Sequence, residues 1–181
     1  CLHCAAGQFQ QATQQPSCKG CAPGWWSPGQ ASECTRCSQG KFGNETVVQS
    51  SESHCSTCPS GKHQSQPGQS VCAPNLGCFI GQRISANATP VSDQTCEACA
   101  PGHYSDAADA VACAACPSGK HQGGEGSSFC EQNTKCAVGQ HVSVNATSTS
   151  DQTCEACTPG HYSDTADAVA CAACPSGKHQ S

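Results

Sequence analysis

The sequence predicts a small disulfide-rich fold with little regular secondary structure, short β segments joined by turns, arranged as an elongated tandem-repeat rod. Three observations carry this. Cysteine makes up 20 of 181 residues, a density that marks a disulfide scaffold in a secreted chain. The usual core formers are scarce, with 2 Leu, 2 Ile, 9 Val and 4 Phe, so cross-links must do what a hydrophobic core does elsewhere. Finally, residues 75–123 align without a gap on residues 133–181, 58 positions later, and 37 of the 49 positions are identical.

Composition excludes several function classes. The formal net charge of −5 is mild and the chain has no basic run, so neither nucleic acid nor an anionic membrane is expected as a partner. No stretch approaches the ~20 apolar residues of a membrane span. The chain has no methionine and begins on cysteine, and the expectation is an internal piece of a longer secreted protein.

Taken in order, the cysteines form pairs. Eight neighbouring pairs are C-x-x-C and two, Cys72/Cys78 and Cys130/Cys136, are C-x5-C; loops of 12, 13 or 17 residues lie between pairs. The second member of every pair is followed by x-x-Gly, from Gly7 to Gly177, and the first member never is. Ten cysteines therefore open loops and ten close them. A tight turn or a close backbone approach explains the glycine, because only glycine offers a positive φ and no side chain. Two residues further on comes a planar or long side chain, such as Phe9, Trp26, Phe42, Tyr104, Tyr162, His63 or Arg83. It is expected to lie over the next bridge as a miniature core. The SDAADAVA segment at 105–112 and its counterpart at 163–170 have the composition for one helical turn after an Asp cap.

Two pairing schemes fit the spacing. In the sequential one each opener joins the next closer: Cys4–Cys18, Cys21–Cys34, Cys37–Cys55, Cys58–Cys72, Cys78–Cys96, Cys99–Cys113, Cys116–Cys130, Cys136–Cys154 and Cys157–Cys171. Cys1 then closes a loop opened earlier, and Cys174 opens one that closes later. Crossed quartets, such as Cys1 to Cys18 with Cys4 to Cys21, use all the cysteines. They conflict with a 58-residue repeat holding six cysteines, since Cys72 and its twin Cys130 would then pair in opposite directions. Connectivity does not follow from spacing alone. The organisation expected is short modules over 1–36, a long-loop group over 37–77, and repeat copies over 78–135 and 136–181, the second incomplete.

C-x2-C-x13-C-x2-C comes close to structural zinc spacing. Against a metal, the spacing tiles the chain instead of isolating groups of four, and the glycine rule makes the two members of a pair unequal. Redox catalysis needs a helix N-terminus on an α/β sheet, which nothing here predicts. Of the eight histidines, three sit in repeated S-G-K-H-Q segments (His63, His121, His179) and two in G-H-Y (His103, His161), recurring because the module recurs, and Asp93, Asp106 and Asp109 form no calcium loop; both sets read as structural. No nucleophile constellation, phosphate loop or acid pair is present. No enzyme, no metal and no cofactor are expected.

Three N-x-[ST] sequons occur, at Asn44, Asn87 and Asn145, and each lies in one of the three 17-residue loops. No shorter loop carries one. A longer loop that bulges outward would present its Asn for N-linked glycan attachment. Residues 143–153 are also rich in Ser and Thr, a composition open to O-linked sugar.

The run from Cys136, CAVGQHVSVNATSTSDQTCEAC followed by TPGHYSD, resembles the cysteine-rich repeats of tumour necrosis factor receptors. The segments CAAGQFQ, CSQGKFG and CPSGKHQ are similar to the short repeats of ephrin-receptor-like cysteine-rich domains. The resemblance implies an extracellular module used as a stalk or a binding surface. The receptor repeat typically has a second, crossed pair, whereas the Cys136–Cys154 loop encloses no cysteine. The family's ligand contacts lie in variable loops, so no contact residue is carried over.

Two functions remain. One is an extracellular structural protein, a stalk, surface coat or filament whose partners are neighbouring copies of itself. The alternative is a receptor ectodomain, secreted or cell-surface, that binds a protein ligand. Trp25 and Trp26, the only tryptophans and part of no repeated copy, are the candidate interface.

Overall fold

The computed structural model describes residues 3–11, 17–44 and 48–175. The chain divides into two compact units, Cys1–Gly77 with Ser85–Thr95, and Cys78–Ile84 with Cys96–Ser181.

Among the described residues, nine antiparallel two-stranded ribbons make up the strand structure. The first unit contains β1 (Gln8–Phe9) with β2 (Lys19–Gly20), β3 (Trp25–Trp26) with β4 (Thr35–Arg36), β5 (Lys41–Phe42) with β6 (Ser56–Thr57), and β7 (Lys62–His63) with β8 (Ala73–Pro74). The hairpin of β9 (Gln82–Ala86) and β10 (Thr95–Ala98) contributes residues to both units. The second unit holds β11 (His103–Tyr104) with β12 (Ala114–Ala115), β13 (Lys120–His121) with β14 (Glu131–Gln132), β15 (Gln140–Val144) with β16 (Thr153–Ala156), and β17 (His161–Tyr162) with β18 (Ala172–Ala173). A single 3-10 turn, Glu52–His54, is the only helix among the described residues. Two-residue strands cannot stand alone in water. What closes each ribbon here is the bridge beside it.

The described bridges join Cys4–Cys18, Cys21–Cys34, Cys37–Cys55, Cys58–Cys72, Cys78–Cys96, Cys99–Cys113, Cys116–Cys130, Cys136–Cys154 and Cys157–Cys171, with Cα atoms 5.3 to 5.8 Å apart. Cys174 is a free, half-buried thiol, and Cys1 lies outside the described residues. Among the described residues, the buried apolar side chains are all cysteines, with Cys37, Cys99 and Cys136 fully buried. Larger apolar side chains such as Phe79, Val111 and Val169 are exposed. The core is the row of bridges itself.

The glycine rule has a backbone cause. All nine described glycines at this place have φ between +77° and +86°, a region costly for side chains bearing a Cβ. At Gly24 a Cβ would also stand 2.5 Å from the Gly68 carbonyl oxygen, so neither the angle nor the space admits alanine. Gly177 lies outside the described residues.

Within each unit, five modules bond to the next by the same backbone pattern. The amide of the glycine donates to the carbonyl six residues past the next opener: Gly7 to Ser27, Gly40 to Gln64, Gly81 to Ser105, Gly102 to Gln122 and Gly139 to Ser163, at 2.7 to 3.0 Å. That receiving residue passes its own N–H forward, as Ser27 does to Gln49, Ser105 to Ser127 and Gln122 to Ser148. The carbonyl of the opener accepts an N–H from a left-handed residue of the next module. The pairs are Cys4 with Gln30, Cys37 with Gly68, Cys78 with Asp109, Cys99 with Gly126 and Cys136 with Asp167.

The 105–112 and 163–170 segments are turns, not helical turns. Asp109 and Asp167 adopt φ of 55° and 54°, which ends any right-handed helix. The turn is held because each Asp, besides its N–H bond to the opener of the preceding module, accepts that opener's N–H through its carboxylate: Cys78 N–H donates to Asp109 Oδ1 at 2.7 Å and Cys136 N–H to Asp167 Oδ1 at 2.8 Å.

Candidate functional site

The two C-x5-C pairs resolve into a simple variation. The carbonyls of Gly7, Gly40, Gly81, Gly102, Gly139 and Gly160 accept the N–H of the next opening cysteine, but Gly61 and Gly119 accept from Asn75 and Asn133. Asn75 and Asn133 thus occupy the slot of an opener, and the cysteine follows three residues later. Each Asn side chain meets a histidine of the module before it, His63 Nδ1 with Asn75 Oδ1 and His121 Nδ1 with Asn133 Oδ1, both at 2.9 Å. The same joints are capped by aspartate. Leu76 N–H donates to Asp93 at 3.0 Å, and Thr134 donates to Asp151 through both its N–H at 2.8 Å and its hydroxyl at 2.5 Å. The hydroxyl of Thr134 is the first cause holding the Asp151 carboxyl below its ordinary value. Burial opposes it; the N–H groups of Thr134 and Gln152, and His121 nearby, add to it.

The other histidines are dispersed. His141 Nδ1 lies 3.5 Å from Cys171 Sγ, His161 meets the Thr158 hydroxyl, and His54 meets Ser50 and Ser51. Among the described residues no group of three or more His, Cys, Asp or Glu is placed to hold a metal ion, and no helix is long and apolar enough to cross a membrane.

Asn87 and Asn145 are exposed just beyond β9 and β15. Their sequon threonines shape the tips. Thr89 Oγ1 accepts the Ser92 N–H at 3.1 Å, and Thr147 Oγ1 accepts the Ser150 N–H at 3.0 Å. Asn44 is exposed too, but Thr46 of its sequon lies outside the described residues.

The tryptophans divide into two roles. Trp26 donates its indole N–H to Glu52 at 2.9 Å. Glu52 also accepts from Ser38 N–H and Lys41 Nζ, each at 3.3 Å. Burial on its own pushes the Glu52 carboxyl up; the donors Ser38, Lys41 and Trp26 outweigh it and hold the group below its ordinary value. Trp26 is therefore a structural residue. Trp25 pairs with Arg36 across the β3–β4 ribbon, and the guanidinium lies 4.8 Å from its ring centre, a cation–π contact. Trp25 also lines a groove of about 530 Å³ in the first unit, together with Ala5, Ala22, Pro23, Val48 and Asn44.

Comparison with known proteins places these modules. The family described as tyrosine-protein kinase ephrin type A/B receptor-like matches residues 89–136 and 145–181. Signal peptide, CUB and EGF-like domain-containing protein 2 of Mus musculus is 34% identical over 161 residues, 82% of this chain and 14% of that protein. Tumor necrosis factor receptor superfamily member 14 of Homo sapiens is 28% identical over 72% of this chain and 42% of its own length. Soluble TNF receptor II of Monkeypox virus is 28% identical over 73% of this chain and 34% of its own length. The chain thus spans less than half of each relative. Among solved structures, a chain of the human RANKL/OPG complex covers 93% of this chain and 82% of its own at 15% identity, with a TM-score of 0.30, a likeness too loose to carry an argument. The sequence matches and the bridge pattern show cysteine-rich repeats similar to those of tumour necrosis factor receptors and of ephrin-receptor-like proteins.

Proposed function

We propose that the chain is a non-catalytic extracellular repeat array, N-glycosylated at Asn44, Asn87 and Asn145, that serves as a stalk, surface coat or filament segment. One observation carries the reading. In five modules, those opened by Cys4, Cys37, Cys78, Cys99 and Cys136, opener and glycine bond to the next module at fixed offsets, the arrangement of a repeat protein whose length is its useful property. Nine bridges suit an oxidising extracellular compartment. Electron microscopy and sedimentation of the secreted glycoprotein test the role. Regular fibres or laterally associated copies are the expected result, and single unassociated particles that capture a soluble protein ligand would overturn it.

A second reading has its own support: two relatives are named as tumour necrosis factor receptors. In it the chain is a receptor ectodomain that binds a protein ligand. Binding of the immobilised glycoprotein to trimeric tumour-necrosis-factor-type ligands, at nanomolar to micromolar concentration, would favour this reading over the first.

A further inference from the structure

Two features stand apart from the repeat, the tryptophan pair and the first sequon. The fold brings them together: Trp25 and Asn44, 19 positions apart in sequence, line the same groove of about 530 Å³. Building on the glycosylation proposed above, we infer that this groove is the seat of the glycan's own core, with the Asn44-linked N-acetylglucosamine lying against Trp25.

The chemistry of the groove fits a saccharide. Pyranose rings are amphipathic, with C–H groups on their faces and hydroxyls and amides around the rim. The groove offers the matching halves. Trp25, Ala5, Ala22, Pro23 and Val48 supply apolar surface, and Val48 is 68% exposed. Gln8, exposed at the end of β1, lines it too, with an amide group of the kind that bonds hydroxyls. Trp25 is half-buried and is held by its strand pairing with Arg36 and by the guanidinium on its ring. Its surface is therefore fixed before a sugar arrives, and little ordering entropy opposes docking. A sugar attached at the groove's own wall is present at high effective concentration, so even a weak aromatic contact is populated. Asn87 and Asn145 have no such neighbour among the lining residues of the described grooves. Their glycans should stand free in solvent.

The test is enzymatic release of N-glycans from the secreted glycoprotein, read site by site by mass spectrometry. Under native conditions release at Asn44 should be slower than at Asn87 and Asn145 by about fivefold, the scale of one aromatic contact. Trp25→Ala should abolish the difference, and denaturation with reduction should equalise all three sites. A second measurement does not depend on that variant folding. Asn44→Gln should red-shift tryptophan emission of the native protein, and Asn87→Gln should leave it unchanged. An unmodified Asn44 overturns the glycosylation and this inference together. A modified Asn44 released as fast as the other two, or one whose protection survives Trp25→Ala, overturns the docking alone.

Discussion

At the scale of single residues, the backbone sets the strictest demands. Gly81 and Gly160 hold the same place in two different modules, at φ of 81° and 86°. A Cβ at Gly81 would press on the Gly126 carbonyl, whereas one at Gly160 meets nothing within 4 Å. Gly160→Ala should therefore cost only the left-handed strain, about 1–2 kcal/mol. Gly81→Ala adds a backbone clash and should cost visibly more. Thermal melting of the two variants, with bridges intact, checks the ordering; equal costs would mean that angle alone matters. Asp151 makes a second prediction. Its folded carboxyl lies below the ordinary value, so its contribution to stability is present above the unfolded carboxylate pKa of about 4 and is lost as pH falls through the lower folded value. An NMR pH titration should place the Asp151 midpoint below that of a free Asp. Thr134→Val, which removes the hydroxyl donor, should move it upward.

Elements here are too short to hold themselves. A β-ribbon such as β13–β14 pairs only Lys120 with Gln132 and His121 with Glu131, and the bridge Cys116–Cys130 beside it restrains a loop of 13 residues. In the chain-entropy model that restraint is worth roughly 3 kcal/mol, more than two pairs of backbone bonds contribute net. Replacing both Cys116 and Cys130 by Ser should abolish amide protection at residues 120 and 132 while Lys41 and Thr57, paired in the first unit, keep theirs. Hydrogen exchange read residue by residue checks this. Loss of protection throughout would show that modules do not fold one by one. The joints are a separate element. Asn133→Ala keeps the backbone bond to Gly119 but removes the side-chain contact with His121, so it should loosen one joint without touching a bridge.

For the chain as a whole, the pairing of cysteines governs everything above it. Proteolysis and mass spectrometry of the non-reduced protein should recover Cys72 with Cys58 and Cys130 with Cys116, equivalent partners for two equivalent positions. Non-equivalent partners would remove the basis for a repeating module. In the proposed array role, function would rest on lateral association. Val111 and Val169 are exposed at positions 58 apart, as are Ile80 and Val138, and a partner carrying the same period is the natural match for repeated apolar sites. Sedimentation at rising concentration reads that association directly.

The fold class followed from the sequence because cysteine spacing and the want of core formers leave few alternatives: short loops closed by bridges cannot build helices or wide sheets. The opener-plus-three glycine was legible for a related reason, since one residue type alone tolerates its φ. Other features were decided only in three dimensions. The receiving position six residues past the opener acts through its backbone, so Ser27, Gln64 and Ser105 serve equally and leave no side-chain signature. Asn75 and Asn133 fill a cysteine's slot, but the C-x5-C spacing conceals this until the carbonyls of Gly61 and Gly119 show where the opener belongs. The aspartates at 93 and 151, and at 109 and 167, repeat in sequence, yet their partners lie 17 and 31 residues away. Spacing reports what a loop can close; the contact between Trp25's groove and Asn44 depends on how modules stack, and that is set by backbone bonds that no side chain announces.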